Sequence, residues 1–366
     1  MSSKQGSVYY DKAKKSYRAF YVDSYGQRIS KRFKTKQEAD AWIVENSNNE
    51  YKGLYVRKSD VTIGEWLVKY LELFVKDNVR RKTYLDYITI SAHWNGFAGT
   101  QLQHATTLSC QSYLKAHNAS GSMKKRMIAL LKRAVTKAVE LNMVQRNFVL
   151  GVTVPKVLQK PVVIFSTEEV QKILEFLRVR RADTVYYPLV LTAVLTGCRL
   201  GEILGLRVED LESDAINIRR SLIEVESQPN INEPKTYAGM RRITVPPELV
   251  QLLRITAAQG GMDDGYIFHN KRRNLFRTSN VEKFWKETLK RLEIPHKKFH
   301  ALRHTHATLL LANQVPILEV AKRLGHSKAS HTLNLYGHAI AGLDREIPKT
   351  AETAYNVRPI LPNWNS

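Results

Sequence analysis

Between Phe299 and His338 the chain reads FHALRHTHATLLLANQVPILEVAKRLGHSKASHTLNLYGH. His300 and Arg303 lie one helical turn apart, His326 follows a glycine, and Tyr336 closes the stretch. A guanidinium grips two phosphate oxygens as a fork. A phenol can attack phosphorus, and an imidazole moves protons near neutral pH. Together these residue types point to chemistry on a phosphate. The stretch has no Asp or Glu at metal-ligand spacing, which argues against a magnesium-dependent nuclease.

Two earlier pieces belong with it. Thr196-Gly197-Cys198-Arg199-Leu200-Gly201-Glu202 supplies a second arginine, and Pro234-Lys235-Thr236, followed by Arg241-Arg242, supplies a lysine on a turn. A phosphodiester passing through a pentacoordinate state needs charge neutralised on two non-bridging oxygens. Arg199 and Arg303 each offer a planar pair of donors, and loss of one such group costs roughly 10²–10³ in rate. The phenol of Tyr336 has an ordinary pKa of about 10, so it needs neighbouring cations and a base. His300 and His304 are spaced as zinc ligands can be, but no Glu lies between them and no acidic partner follows, so no metal is expected.

The pieces H-x-x-R (His300, Arg303), L-G-H (Leu324 to His326), Tyr336 with His338, T-G-x-R-x-G-E and the turn lysine, in this order, resemble the tyrosine recombinase (phage integrase) family. The resemblance implies that Tyr336 joins a DNA 3′-phosphate and releases a 5′-hydroxyl. The bond energy stays in the phosphotyrosine, so no ATP and no cofactor is implied. Lys235 fits the general acid for the leaving oxygen and His300 the general base or phosphate-positioning group. His326 fits a donor to the phosphate, and Glu202 a residue that orients Arg199 or its helix. Lys271, Arg272 and Arg273 fit phosphate contacts on a later loop. One departure is Ala301, where the family often has Asp.

The elements that must hold these groups suggest a multidomain α+β chain. Residues 1–55 alternate like three short strands, Ser7–Asp11, Ser16–Val22 and Arg28–Phe33, followed by a helix from Thr35 to about Asn49. This small three-stranded sheet plus helix resembles an arm-type DNA-binding domain. A sheet face carrying Arg18, Arg28, Lys31 and Arg32 would suit a major groove. Residues 51–60 read as a linker. A capping box at Thr62 and Glu65 then opens an amphipathic helix marked by Trp66, Tyr70, Leu73 and Phe74. Further helices are expected at Lys82–Trp94, Thr107–His117 and Ser122–Leu141. The last sets Lys124, Lys125, Arg126, Lys132 and Arg133 against a core stripe of Met127, Leu130, Leu131, Ala134 and Val135. Residues 61–151 thus resemble the family's helical, SAM-like core-binding domain.

A second linker spans Gly151–Phe165, with Pro155 and Pro161. Residues 166–345 are expected to form a mainly α catalytic domain with a small antiparallel sheet, and 346–366 a C-terminal tail. Its expected helices include Tyr187–Leu195, Glu248–Ala258, Val281–Leu292, His300–Ala312 and Ile317–Leu324. Its expected strands are Ala215–Arg219, Leu222–Glu226 and Arg242–Val245.

Charge supports a polyanionic partner. The 366 residues carry a net +23. Residues 1–55 hold 11 Lys/Arg against 6 Asp/Glu, residues 61–160 hold 15 against 5, and residues 166–345 hold 27 against 20. Every expected domain is basic, so a polyanion can run across all of them. Only Cys110 and Cys198 occur, far apart and outside any C-x-x-C, so a reduced setting with no disulfide or zinc framework is expected. No apolar run reaches membrane-span length and the start has no apolar signal core, so a cytoplasmic, nucleoid-associated setting is expected.

The reading is a site-specific integrase that integrates and excises a mobile element. Double-stranded DNA with core and arm sites is its partner. The resemblance further implies a homotetramer on DNA and leaves room for an accessory DNA-bending or excision protein. A resolvase of replicon dimers with the same chemistry is the alternative, as is a DNA-binding regulator with a vestigial site. The basic N-terminal module weighs against the first and the complete residue set against the second.

Overall fold

The computed structural model describes residues 6–23, 26–51, 59–156, 162–180, 185–226, 228–232, 239–260, 265–270, 274–326, 328–330 and 332–333. The chain divides into two compact units, residues 1–159 and 160–366.

The first unit opens with β1 (Gly6–Asp11), β2 (Ser16–Val22) and β3 (Arg28–Phe33), an antiparallel sheet in the order β1-β2-β3. Helix α1 (Lys36–Tyr51) follows, and its Trp42 packs on the rings of Tyr21 and Phe33. Strand alternation buries Ala19 and Tyr21 and turns Arg18 and Phe20 the other way. The register sets Arg18 opposite Arg32 and Lys31 opposite Ala19. Arg18, Arg28 and Arg32 therefore share the face away from Ala19, while Lys31 projects from the other face. The expectation of one face carrying all four cations is corrected to three, because adjacent residues of a strand point oppositely.

Helix α2 (Ile63–Tyr70) starts at the expected capping box, with Thr62 and Glu65 bonded reciprocally. It passes into a π-type turn at Leu71–Val75 and a 3-10 turn at Lys76–Asn78, where the sequence suggested a plain helix. The widened turn keeps Leu71 and Val75 buried and Phe74 against Trp66 and Tyr70. Next come α3 (Arg81–Ala92), α4 (Thr107–Ala116) and α5 (Gly121–Glu140). The apolar stripe of α5 is buried with Trp66, Leu67, Ile90 and Trp94, and Trp66 Nε1 donates to the Ala134 carbonyl at 2.8 Å. Lys125, Arg126, Lys132 and Arg133 are exposed on the opposite side and Lys124 is half-buried.

The second unit contains α6 (Thr167–Arg178), α7 (Tyr186–Thr196) and the short α8 (Leu200–Leu204). Strands β4 (Ala215–Ile218), β5 (Ser221–Val225), β6 (Gln228–Asn232) and β7 (Arg241–Thr244) follow. Helices α9 (Pro247–Gly260), α10 (Thr278–Arg291), α11 (Ala301–Ala312) and α12 (Ile317–Leu324) complete it. The expected small sheet is two antiparallel pairs, β4 with β7 and β5 with β6. The second linker is anchored at both ends, since Val152 and Phe165 are buried in separate cores. Among the described residues, no helix is long and apolar enough to cross a membrane.

Two glycines bring the elements of this unit close together. Gly197 ends α7 at φ 65°, and a Cβ there would meet His306 at 2.7 Å and Leu324 at 2.9 Å. A Cβ at Gly201 would meet the Leu222 carbonyl oxygen at 2.3 Å, so glycine lets α8 rest on β5.

Candidate active site

The end of α7 is where the pieces converge. The Thr196 hydroxyl donates to the Thr192 carbonyl at 2.6 Å and accepts from the Cys198 amide at 3.1 Å, carrying the chain through the turn. Arg199 then caps α8 in extended backbone geometry. Glu202, one turn into α8, accepts from the Arg199 amide at 2.9 Å and from Arg199 Nη1 at 2.7 Å. The Arg199 side chain is 42% exposed, so its guanidinium is anchored at one edge and open to solvent elsewhere.

Glu202 has a second cation. Arg241 on β7 donates to both carboxylate oxygens, Nη1 to Oε1 at 3.3 Å and Nη2 to Oε2 at 2.9 Å. Burial alone would raise the Glu202 pKa. The charge and hydrogen bonds of Arg241, then those of Arg199, overcome it and hold the carboxyl at about 2. Arg241 also donates through Nε to the Arg323 carbonyl at 2.7 Å, and Nη2 lies 3.5 Å from Cys198 Sγ.

Arg303 reaches the same turn from α11. It is 2% exposed and donates Nη1 to the Gly197 carbonyl at 2.9 Å and Nη2 to the Leu324 carbonyl at 2.7 Å. These bonds engage one N–H on each terminal nitrogen of a group with five. Loss of water, then the charge of Arg199, lowers its pKa to about 10, which leaves it a cation at neutral pH. Arg323, a residue the sequence did not single out, donates to the Leu195 carbonyl and, through Nε, to His306 Nε2 at 3.1 Å. His306 Nδ1 faces the Val194 carbonyl at 2.9 Å, which sets the Nδ1–H tautomer.

His300 sits just before α11, after Phe299, which is buried edge-on against Trp285. Part of the residue is exposed. Loss of water around the ring, then the charges of His304, Arg303 and Arg199, push its pKa down to about 4, so the ring is uncharged at neutral pH. His304 packs edge-on at 4.9 Å. His326 follows the left-handed Gly325 that ends α12, and its Nδ1 is 2.7 Å from the hydroxyl of buried Thr332. If that hydroxyl donates to Nδ1, Nε2 carries the proton and His326 is a hydrogen-bond donor.

Arg199, Glu202, His300, Arg303 and His326 thus all belong to the connected set of elements around the end of α7. Lys235, Tyr336, Lys271, Arg272 and Arg273 lie outside the described residues. Among the described residues, no group of three or more His, Cys, Asp or Glu side chains is arranged to hold a metal ion. In the first unit, Arg18 donates to Ser30 Oγ, Arg28 stacks over Phe20 at 3.9 Å and Arg32 pairs with Asp11. Arg133 donates to the Tyr87 hydroxyl at 2.7 Å, and Arg126 faces Asp86 at 3.9 Å.

Sequence reasoning gave Arg241 no role, since it and Arg242 look equivalent in the chain. Only strand pairing separates them. Arg241, opposite Ile218, has a side chain 7% exposed, whereas Arg242, opposite Asn217, is 48% exposed and pairs with Glu212 and Asp214.

Residues 164–341 match the model of the phage integrase family. The chain is 30% identical over 359 residues to a tyrosine recombinase XerC-like protein of Caldanaerobacter subterraneus subsp. tengcongensis, covering 87% of this chain and 90% of that protein. Its fold is similar to a Tn1549 transposon integrase solved with a circular intermediate DNA. That match has a TM-score of 0.68 at 19% identity, over 78% of this chain and 99% of that one. It is also similar to a lambda integrase tetramer solved on a Holliday junction, with a TM-score of 0.59 at 16% identity, over 90% of this chain and 97% of that one.

Proposed function

The chain belongs to the phage integrase family of tyrosine recombinases, and from that premise we propose that it is a site-specific DNA recombinase that integrates and excises a mobile element. The observation that carries the reading is the convergence of Arg199 and Arg303 on the turn at Gly197, with neutral His300 within reach of both charges. Two guanidiniums at one turn suit the two non-bridging oxygens of a phosphodiester, and an uncharged imidazole beside them leaves His300 the general-base or phosphate-positioning role.

In this mechanism the Tyr336 oxygen attacks phosphorus and its proton passes to His300. The bond from phosphorus to the 5′-oxygen breaks, and Lys235 gives that oxygen a proton. A 3′-phosphotyrosine and a 5′-hydroxyl result, and reversal on a second strand rejoins the DNA. Arg199 and Arg303 neutralise the phosphorane, and His326 donates a hydrogen bond to it. No ATP or metal takes part in a step.

Residues 61–151 and 166–345 would each bind core-site DNA, while residues 1–55 read a flanking arm site through Arg18, Arg28 and Arg32. Basic α5 would face phosphates through Lys125, Arg126, Lys132 and Arg133, and Lys271, Arg272 and Arg273 would add contacts. The working form is a homotetramer on DNA, in the cytoplasm at the nucleoid. The test is covalent capture on a nicked duplex from the DNA flanking the gene. The natural chain should give a protein–DNA band on a denaturing gel, with or without EDTA, and Tyr336→Phe should bind yet give none. A covalent band from the Phe variant would reject Tyr336 as nucleophile.

A further inference from the structure

We propose that Arg241 is a positioning residue for strand cleavage, holding Arg199 through Glu202 and His326 through the last turn of α12. This rests on the recombinase reading above. Four observations support it. Arg241 donates to both oxygens of Glu202, at 3.3 and 2.9 Å. The same carboxylate takes the amide and Nη1 of Arg199. Arg241 Nε donates at 2.7 Å to the carbonyl of Arg323, three residues before His326. Both members of the Arg241–Glu202 pair are buried, with side chains 7% and 6% exposed.

The carboxylate is the pivot. Glu202 alone with Arg199 would be a buried anion with one cationic partner, and it would draw that guanidinium wholly onto itself. Arg241 supplies the second charge, so Arg199 is held by one edge and keeps the rest for an incoming phosphate. The bond to Arg323 ties this arrangement to the segment that presents His326. Arg241 touches no reacting atom in this scheme, and it acts by fixing where two other groups stand. Displacements on the order of 1 Å at such groups cost about 10²-fold in rate.

The experiment uses the full chain and a nicked duplex from the DNA flanking the gene. The scissile position carries either a natural phosphate or an uncharged methylphosphonate. Single-turnover cleavage at saturating DNA separates rate from binding. Arg241→Met should cleave the phosphate substrate about 10²-fold more slowly, with DNA affinity within a few fold, and Arg241→Lys should lie between it and the natural chain. Arg242→Ala, its outward-facing neighbour, should match the natural chain. The defect at 241 should shrink on the methylphosphonate, because a neutral phosphonyl group needs less from Arg199. A natural-chain complex with equal rates in the Lys and Met proteins overturns the positioning role alone, as does an equal defect on both substrates. If even Arg241→Lys fails to fold by thermal melting, Arg241 is a purely structural residue and the proposal is overturned. If the natural chain itself forms no covalent complex, the recombinase reading fails and takes this one with it.

Discussion

Arg303 donates a hydrogen bond at 2.9 Å to the main-chain carbonyl of Gly197, 106 residues earlier in the chain. A second bond at 2.7 Å reaches the Leu324 carbonyl. One side chain thus satisfies the ends of α7 and α12 while presenting its charge beside Arg199, so in the proposed mechanism it would serve folding and chemistry together.

Arg303→Lys separates the two roles. An ammonium keeps the charge but lacks the planar fork that spans both carbonyls. Each buried carbonyl left without its donor costs about 1–3 kcal/mol, so thermal melting should show a lowered midpoint. Cleavage should fall by roughly 10²–10³, beyond what the loss of folded protein accounts for. A Lys variant that cleaves at the natural rate would remove Arg303 from the phosphate clamp.

His306 predicts how stability depends on pH. Burial, then the charge of Arg323, lowers its pKa from 6.5 to about 4. Between those values the unfolded chain binds the extra proton and the folded chain does not. Its neutral form is therefore no liability above pH 6.5, and stability is lost as pH falls from 6.5 toward 4. His300, lowered to about 4 as well, adds in the same direction. His306→Gln should flatten the fall in urea midpoint over that window, although the variant is less stable at pH 7. Parallel curves for the two proteins would show that His306 does not titrate there.

Much of this site was legible before the structure because its motifs are local. His300 and Arg303 are one turn apart, and Gly197 and Gly325 end α7 and α12 in left-handed geometry. The three strands were legible as well, yet Lys31 was grouped with Arg32 although adjacent residues of one strand point to opposite faces, and its partner Ala19 lies on the other face. Helix α8 and strand β6 were missed, the first having only five residues and the second carrying a proline. The contacts of Arg241 and Arg323 were invisible for a different reason. Their partners lie 39 and 128 residues away, at Glu202 and Leu195, and no local pattern encodes such contacts.

Lys235 is tested through its leaving group. A general acid matters only where the departing oxygen is a poor leaving group. With sulfur in place of the bridging 5′-oxygen, departure needs no proton. Lys235→Ala should be severely slowed on ordinary DNA and recover on the sulfur substrate, by covalent-complex formation over time. Equal defects on both would mean that Lys235 only positions phosphate, and Lys271 would be the next candidate.

Removing the N-terminal module tests the division of labour. Residues 1–55 carry 11 Lys/Arg against 6 Asp/Glu of a chain with net charge +23, so most of the positive charge lies beyond them. The helices from α2 to α5 have a core of their own, from Ile63 to Val152, that draws on no residue of the β1–β3 sheet. A protein beginning at Asp60 should therefore fold, bind core-site DNA and form the covalent complex at the natural rate. It should lose affinity for flanking arm-site DNA, and the salt dependence of that binding should become shallower as phosphate contacts by Arg18, Arg28 and Arg32 disappear. Two separate basic modules on one chain also let the intact protein bridge two duplexes, which the shortened protein should not do. Gel shifts on core and flanking fragments at several salt concentrations decide the matter. Equal binding of flanking DNA by both proteins would remove the arm-reading role. Loss of core-site cleavage in the shortened protein would instead make residues 1–55 part of the clamp that holds the core site.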